Sequence, residues 1–219
     1  FEDGINGEDV GNIEFVNGKF GKALKLDGSS YVKLPCDILP APESFTISMW
    51  VYNQTADNAL ARLLSTGVFG PDTPGVTLGI HTNVTAAGNW GDITYGAGRE
   101  GLEGYFDFSW AVDYNVVHEN WFHVVLVCDA AESLIMVYVD GEEKDRITYA
   151  GCDIVSKMEV CALGGHLQDG EFYEGFTGLL DDVAIFDRAL TPMEVVQVGS
   201  GKLLNTVKFE SNGGSPVAL

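Results

Sequence analysis

The stretch GLLDDVAIFDRALTPMEVVQV, residues 178–198, decides the architecture. Val183 and Ile185 alternate with Asp182, Ala184 and Phe186, the period of two expected of a strand with one face in a core. Asp181 stands on the Val183 side at the entrance of that strand, so an acid sits where a core strand begins. Downstream, Thr191 is placed to cap a helix, Pro192 fits its first position without losing a hydrogen bond, and Glu194 completes a capping box. Gly199 ends this short helix.

Upstream the pattern is strand after strand. Residues 22–26 and 30–34 read as a hairpin around the turn pair Asp27-Gly28. Residues 45–52 alternate Phe45, Ile47, Met49 and Val51 against Thr46, Ser48, Trp50 and Tyr52, and with aromatics on the second face neither side is plainly wet, the mark of a central strand. Candidate strands at 61–66, 75–80, 91–96 and 104–110 are punctuated by Gly, Pro, Asn and Asp, as in a sandwich. Residues 120–128 and 133–139 form the strongest hairpin, Asp140-Gly141 turns the chain toward 146–149, and 157–163 adds another strand. Residues 164–175 read as a loop, and residues 1–21 as a turn-rich acidic edge.

The 219 residues fit one large all-β domain. Asp plus Glu number 32 against 12 Lys plus Arg, a net charge of −20, which repels phosphate backbones and anionic membrane surfaces and argues against nucleic acid as a partner. No apolar run approaches the ~20 residues of a membrane span, so no membrane insertion is expected, and the absence of an initiator Met or signal-like start points to an excised or mature piece. Of the four cysteines, at 36, 128, 152 and 161, Cys152 and Cys161 bracket a segment that a disulfide would clip into a hairpin, with reduced core thiols the equal alternative, and Cys128 ends an apolar strand where a thiol acts as a small hydrophobe.

The entry acids, the apolar-x-apolar-aromatic run and Arg188-Ala189-Leu190 before a capped helix resemble the closing segment of laminin-G-like jelly rolls, within the concanavalin A-like lectin and glucanase superfamily. GKALKLDGSSYV (21–32), SFTISMWV (44–51), and WFHVVLV (121–127) followed by YVDG (138–141) agree with that family in order. The resemblance implies a two-sheet antiparallel β-sandwich of jelly-roll type over residues 1–200, with one short C-terminal helix. Beyond it, NTVKFESNGGSPV (205–217) resembles the opening strand and turn of the Listeria-Bacteroides-type repeats of bacterial surface proteins. Residues 201–219 are then a linker and the start of a following domain, and the parent a secreted, multidomain protein of the extracellular space or bacterial cell surface.

The family also implies one calcium ion between the first strand and the acid of the closing strand. The matching positions are Glu2 or Asp3 and Asp181 or Asp182; calcium's six to eight oxygen ligands would be completed by backbone carbonyls and waters. Asp9 and Asp27 are weaker candidates, because a Gly-flanked Asp is usually turn chemistry. Sugar binding, the commonest role in the family, asks for aromatic faces beside carboxylates and amides. Trp90, Tyr105 and Trp110 supply such a mixture in one region, and His166, Gln168, Asp169 and Tyr173 in another.

A laminarinase-like enzyme on this fold would carry Glu-x-Asp-x-x-Glu on one strand, aiming three carboxylates into one cleft. The nearest run, residues 143–148, lacks the final acid, and no Gly-x-Ser-x-Gly elbow occurs. His123, inside an apolar strand, reads as a hydrogen-bonded structural histidine. The expectation is a non-catalytic, calcium-stabilised glycan-binding module whose parent's catalysis resides in other domains of the same chain. The alternative is a spacer or protein-adhesion module.

Overall fold

The computed structural model describes residues 7–35, 44–55, 59–66, 75–85, 88–98, 106–111, 119–148, 161–168 and 170–201. They form two seven-stranded antiparallel sheets, a two-stranded ribbon and one helix. The first sheet runs β1 (Glu8–Val10), β4 (Tyr31–Leu34), β13 (Cys161–Leu163), β6 (Ala59–Thr66), β7 (Gly75–Thr85), β8 (Gly88–Gly98), β9 (Phe106–Ala111). The second runs β12 (Glu142–Thr148), β11 (Leu134–Val139), β10 (Trp121–Asp129), β5 (Phe45–Asn53), β16 (Thr177–Phe186), β3 (Lys22–Asp27), β2 (Glu14–Asn17). The ribbon pairs β14 (His166–Gln168) with β15 (Glu171–Tyr173), and α1 spans Pro192–Gly199. This is the expected sandwich with one short helix.

The core follows from the period-two pattern. Phe45, Ile47, Met49 and Val51 of β5 meet Leu63, Leu78, Ile80 and Ile93 of the first sheet in one inter-sheet cluster, all essentially inaccessible to water. The other face of β5 is covered as well. Val125, Val127, Tyr138, Phe186, Leu190 and Val195 form a second cluster between the outside of the second sheet and α1. Thr46 joins the two, accepting the Leu190 N–H and donating to the Arg188 carbonyl oxygen. That is why neither face of this central strand reads as wet.

The helix starts where its residues specify. Thr191 accepts the Glu194 N–H, and the Glu194 carboxylate accepts the Thr191 N–H at 2.8 Å. The same carboxylate pairs bidentately with Arg188 at 2.9 and 2.7 Å, so the capping box is also tied to the turn before it. Gly199 is the last helical residue rather than the one beyond it.

Three local expectations are corrected. Residues 22–34 are not a hairpin: β3 joins the second sheet and β4 the first. Asp27 Oδ1 accepts both the Ser29 and Ser30 N–H at 2.9 Å, Gly28 has φ +84°, and its N–H goes to the Phe176 carbonyl. The Asp-Gly pair thus turns the chain from one sheet to the other. These hydrogen bonds hold the Asp27 carboxyl down at about 2. Secondly, the closing strand begins at Thr177, four residues before the acid, and a bulge between Asp181 and Ala184 breaks the alternation. Asp182 takes φ +46° there and is exposed, while Val183 packs on the inter-sheet cluster. The extra residue is why Asp181 and Val183 do not share a simple face. Thirdly, residues 164–175 contain the β14–β15 ribbon rather than a plain loop.

Cys128 and Cys161 are core residues. Cys36 and Cys152, and with them the predicted clip, lie outside the described residues, as do residues 202–219. The run 143–148 falls on the edge strand β12, where Glu143 pairs with Arg146 on the surface rather than lining a cleft.

Candidate functional site

Buried polar side chains collect on the outer face of the first sheet, at positions that alternate with its core residues. Arg62, Gly79, Thr94 and Trp110 stand in one cross-strand row over β6 to β9. Ser65, Thr77, Gly96 and Phe108 form the next row. Arg62 is 4% exposed, Ser65 3% and Thr77 0%. A charge so buried requires partners: Arg62 Nη1 donates to Thr77 Oγ1 at 2.9 Å, and Nε pairs with the Glu174 carboxylate. Arginine suits the position because its planar fork serves both at once.

Glu174 brings the ribbon onto this face. The Arg62 N–H donates to the Glu174 carbonyl at 2.8 Å, and the Gly164 N–H to the Leu63 carbonyl at 2.8 Å. Tyr31 and Phe172 stack with centroids 4.7 Å apart, clamping β15 against β4. Within the ribbon His166 is paired with Tyr173, and Gln168 with Glu171. His166 is 3% exposed and Tyr173 51%, so the tyrosine ring stands at the surface while the histidine lies beneath. Burial lowers the His166 imidazole from its ordinary value, against the pull of Glu174.

The expected sugar-contact residues are thus partly gathered. Trp110 shares the row of Arg62, three strand spacings or about 14 Å away, and Arg62 holds the ribbon that carries His166, Gln168 and Tyr173. Trp90 lies in β8 in register with Asn83, one end of the same sheet. Tyr105 and Asp169 lie outside the described residues. Arg62, Thr77 and Glu174 were not anticipated. The signal for Arg62 was one cation inside the apolar run of residues 60–64.

At the other edge, Asp9, Asp181 and Asp182 line one cavity of about 340 Å³ with Phe15, Phe20 and Lys22. Asp181 is buried, Oδ2 accepting the Phe20 N–H at 2.8 Å and Oδ1 the Asp182 N–H at 2.9 Å. Desolvation, and then the neighbouring Asp181 charge, raise the Asp182 carboxyl above its ordinary value. Among the described residues no three metal-ligating side chains converge as a coordination group. Glu2 and Asp3 fall outside them.

Two antiparallel sheets joined by crossovers, with a helix over the outside of one, define a lectin-like jelly roll. The match to the laminin G-like model of the concanavalin A-like lectin/glucanases superfamily runs over residues 26–196, and the chain belongs to that family. Among solved structures it is similar to domain 4 of the extracellular GH43 arabinanase AbnA of Geobacillus stearothermophilus, in complex with arabinotriose. That likeness has TM-score 0.63 and 21% identity, covering 88% of this chain and 87% of that one. It is also similar to the binding domain of botulinum neurotoxin DC in complex with rat synaptotagmin II, at TM-score 0.63 and 16% identity over 90% of this chain, which spans 47% of that one. A SAP-like pentraxin of Limulus polyphemus aligns at TM-score 0.54 and 20% identity, over 74% and 71% of the two chains. No curated protein matches the sequence. Among the described residues no helix is long and apolar enough to cross a membrane.

Proposed function

We propose that this domain is a non-catalytic carbohydrate-binding module that holds a glycan along the outer face of its first sheet. The observation that carries the reading is the exposed aromatic on that side: Tyr173, 51% exposed, stands on the same ribbon as Gln168, and Glu174 fixes the ribbon to Arg62 in the cross-strand row that ends at Trp110. Aromatic and amide groups so placed meet the C–H and hydroxyl faces of a sugar. The likeness to an arabinanase domain solved with arabinotriose supports an oligosaccharide as the ligand class.

In this reading Trp90, Tyr105 and Trp110 contact one end of the chain of sugars, and His166, Gln168, Asp169 and Tyr173 the other. A calcium ion stabilises the fold at Asp181 or Asp182, with Glu2 or Asp3 completing its protein ligands. The domain closes by residue 200, residues 201–219 are a linker and the beginning of a following repeat domain, and the parent is a secreted multidomain protein acting outside the cell.

The test is retention of the isolated domain on a glycan array, followed by titration with the oligosaccharides that score. Tyr173→Ala and Trp110→Ala are expected to weaken binding roughly tenfold or more without altering the melting temperature. No binding by a folded domain would overturn the reading. The protein-adhesion alternative draws on a similar fold solved with a protein partner; capture of a protein ligand with silence on the array would favour it.

A further inference from the structure

Glu171 stands beside the exposed aromatic of the proposed glycan site. In β15 it is two residues from Tyr173, so the two side chains share one strand face about 7 Å apart, both of them exposed. Phe172 between them faces the other way and stacks on Tyr31, with the ring planes 12° apart. A Cβ on Gly165 or Gly175 would strike the Phe172 ring, so these glycines let the ribbon sit down on the sheet. Backbone bonds pin both of its ends, the Arg62 N–H to the Glu174 carbonyl at 2.8 Å and the Phe176 N–H to the Gly164 carbonyl at 2.9 Å. Tyr173 and Glu171 are therefore presented to solvent on a fixed support.

Gln168 is the cross-strand partner of Glu171, as His166 is of Tyr173. A phenol ring, an amide and a carboxylate thus lie together on one ribbon. Glu171 makes no hydrogen bond or ion pair with a described residue, whereas the carboxylate of Glu174, three residues on, is engaged by Arg62. An ionised carboxylate can only accept, and a sugar hydroxyl is a donor that it holds through a charge-assisted bond.

The surrounding charges decide which glycans can approach. Residues 164–175 contain Asp169, Glu171 and Glu174 but neither Lys nor Arg. Among the described residues, the first sheet carries two such cations, Lys33 and Arg62. Arg62 is 4% exposed, its guanidinium taken by Thr77 and Glu174, and Lys33 stands opposite Glu8 of β1 in the register. Burial disfavours the charged form of His166. None of these groups is placed to neutralise an acidic sugar beside Tyr173, and the net charge of −20 adds repulsion of the same sign.

We propose that Glu171 is a specificity-determining residue of this face: it accepts a sugar hydroxyl beside the Tyr173 ring and rejects anionic sugars, so that the ligand is a neutral oligosaccharide free of carboxylate, sulfate and sialyl groups. The inference rests on the glycan reading and narrows it to one ligand class.

The experiment is a glycan array that carries neutral backbones beside their acidic counterparts, such as xylan with glucuronoxylan, galactan with galacturonan and lactose with sialyllactose, followed by titration of the pairs that score. The neutral member should bind roughly fivefold or more tightly than the acidic one at low salt, and the difference should shrink as salt screens the charges. Glu171→Lys should narrow or reverse that ratio. Glu171→Gln, which keeps an acceptor and removes the charge, should narrow it in the same sense, and it decides the matter if the lysine variant does not fold. An acidic member bound as tightly as its neutral counterpart, or a ratio unmoved in a folded Glu171 variant, would overturn the inference while leaving the glycan reading in place. Silence of the folded domain toward every glycan would remove both.

Discussion

Phe20 donates its backbone N–H to Asp181 Oδ2 at 2.8 Å, across 161 positions of sequence. The other oxygen of Asp181 accepts the Asp182 N–H, so one buried carboxylate pins the segment between β2 and β3 to the bulge of the closing strand. Asp181→Ala leaves both N–H groups without their acceptor. At about 1–3 kcal/mol for each buried group left unpaired, the variant is expected to lose roughly 2–4 kcal/mol and 5–15 °C in melting temperature. Thermal denaturation checks it; a loss under about 1 kcal/mol would mean that water replaces the carboxylate.

The calcium proposal makes a separate claim on the same edge. Chelator should lower the melting temperature of the domain and added calcium should restore it, with the calcium-dependent part absent in Asp182→Asn. A melt indifferent to chelator would remove the ion from the account.

His123 gives the fold a pH dependence of known sign. Its imidazole is depressed from 6.5 to about 4 by burial, so between those values the unfolded chain binds a proton that the folded one refuses. The stability present above pH 6.5 is therefore lost as the pH falls toward 4, by an amount on the order of 3 kcal/mol. Urea denaturation at pH 7 and pH 4.5 should show the decline, and His123→Gln should flatten it in that window. An equal decline in the variant would assign the effect to other groups.

Glu194 acts in a lower window. Its hydrogen bonds from the Arg188 guanidinium, and then from the Thr191 backbone, bring its carboxyl to about 2. Its contribution is complete above its ordinary value and is lost as the pH falls through about 2. Glu194→Ala removes the capping box and the Arg188 pair together, with an expected cost of about 1–2 kcal/mol. Hydrogen exchange should then quicken across residues 192–200 while β5 and β10 stay protected; unchanged exchange in α1 would mean that apolar packing alone holds it.

Local grammar was legible where its causes are local. Thr191, Pro192 and Glu194 specify a helix start through groups three residues apart, and that start is in the structure. The alternation in residues 45–52 identified a strand covered on both faces, because burial of each face leaves its own period-two trace. The family resemblance gathered such traces into the right architecture.

Other features depend on partners distant in sequence. Asp27-Gly28 has the residues of a tight hairpin, yet the Phe176 carbonyl that receives the Gly28 N–H helps send the next strand to the opposite sheet. The bulge at Asp182 shifts the closing strand by one residue, which no count of alternation foretells. Arg62 became part of a candidate site only because the ribbon lays Glu174 across β6. Sequence by itself determined the longer strands and the helix cap, since these rest on neighbours along the chain, while the short strands β1, β2, β14 and β15 left no such trace. Tertiary structure alone decided which carboxylates, aromatics and nitrogens share a cavity, because those distances are set by sheet register and crossover across as many as 161 positions.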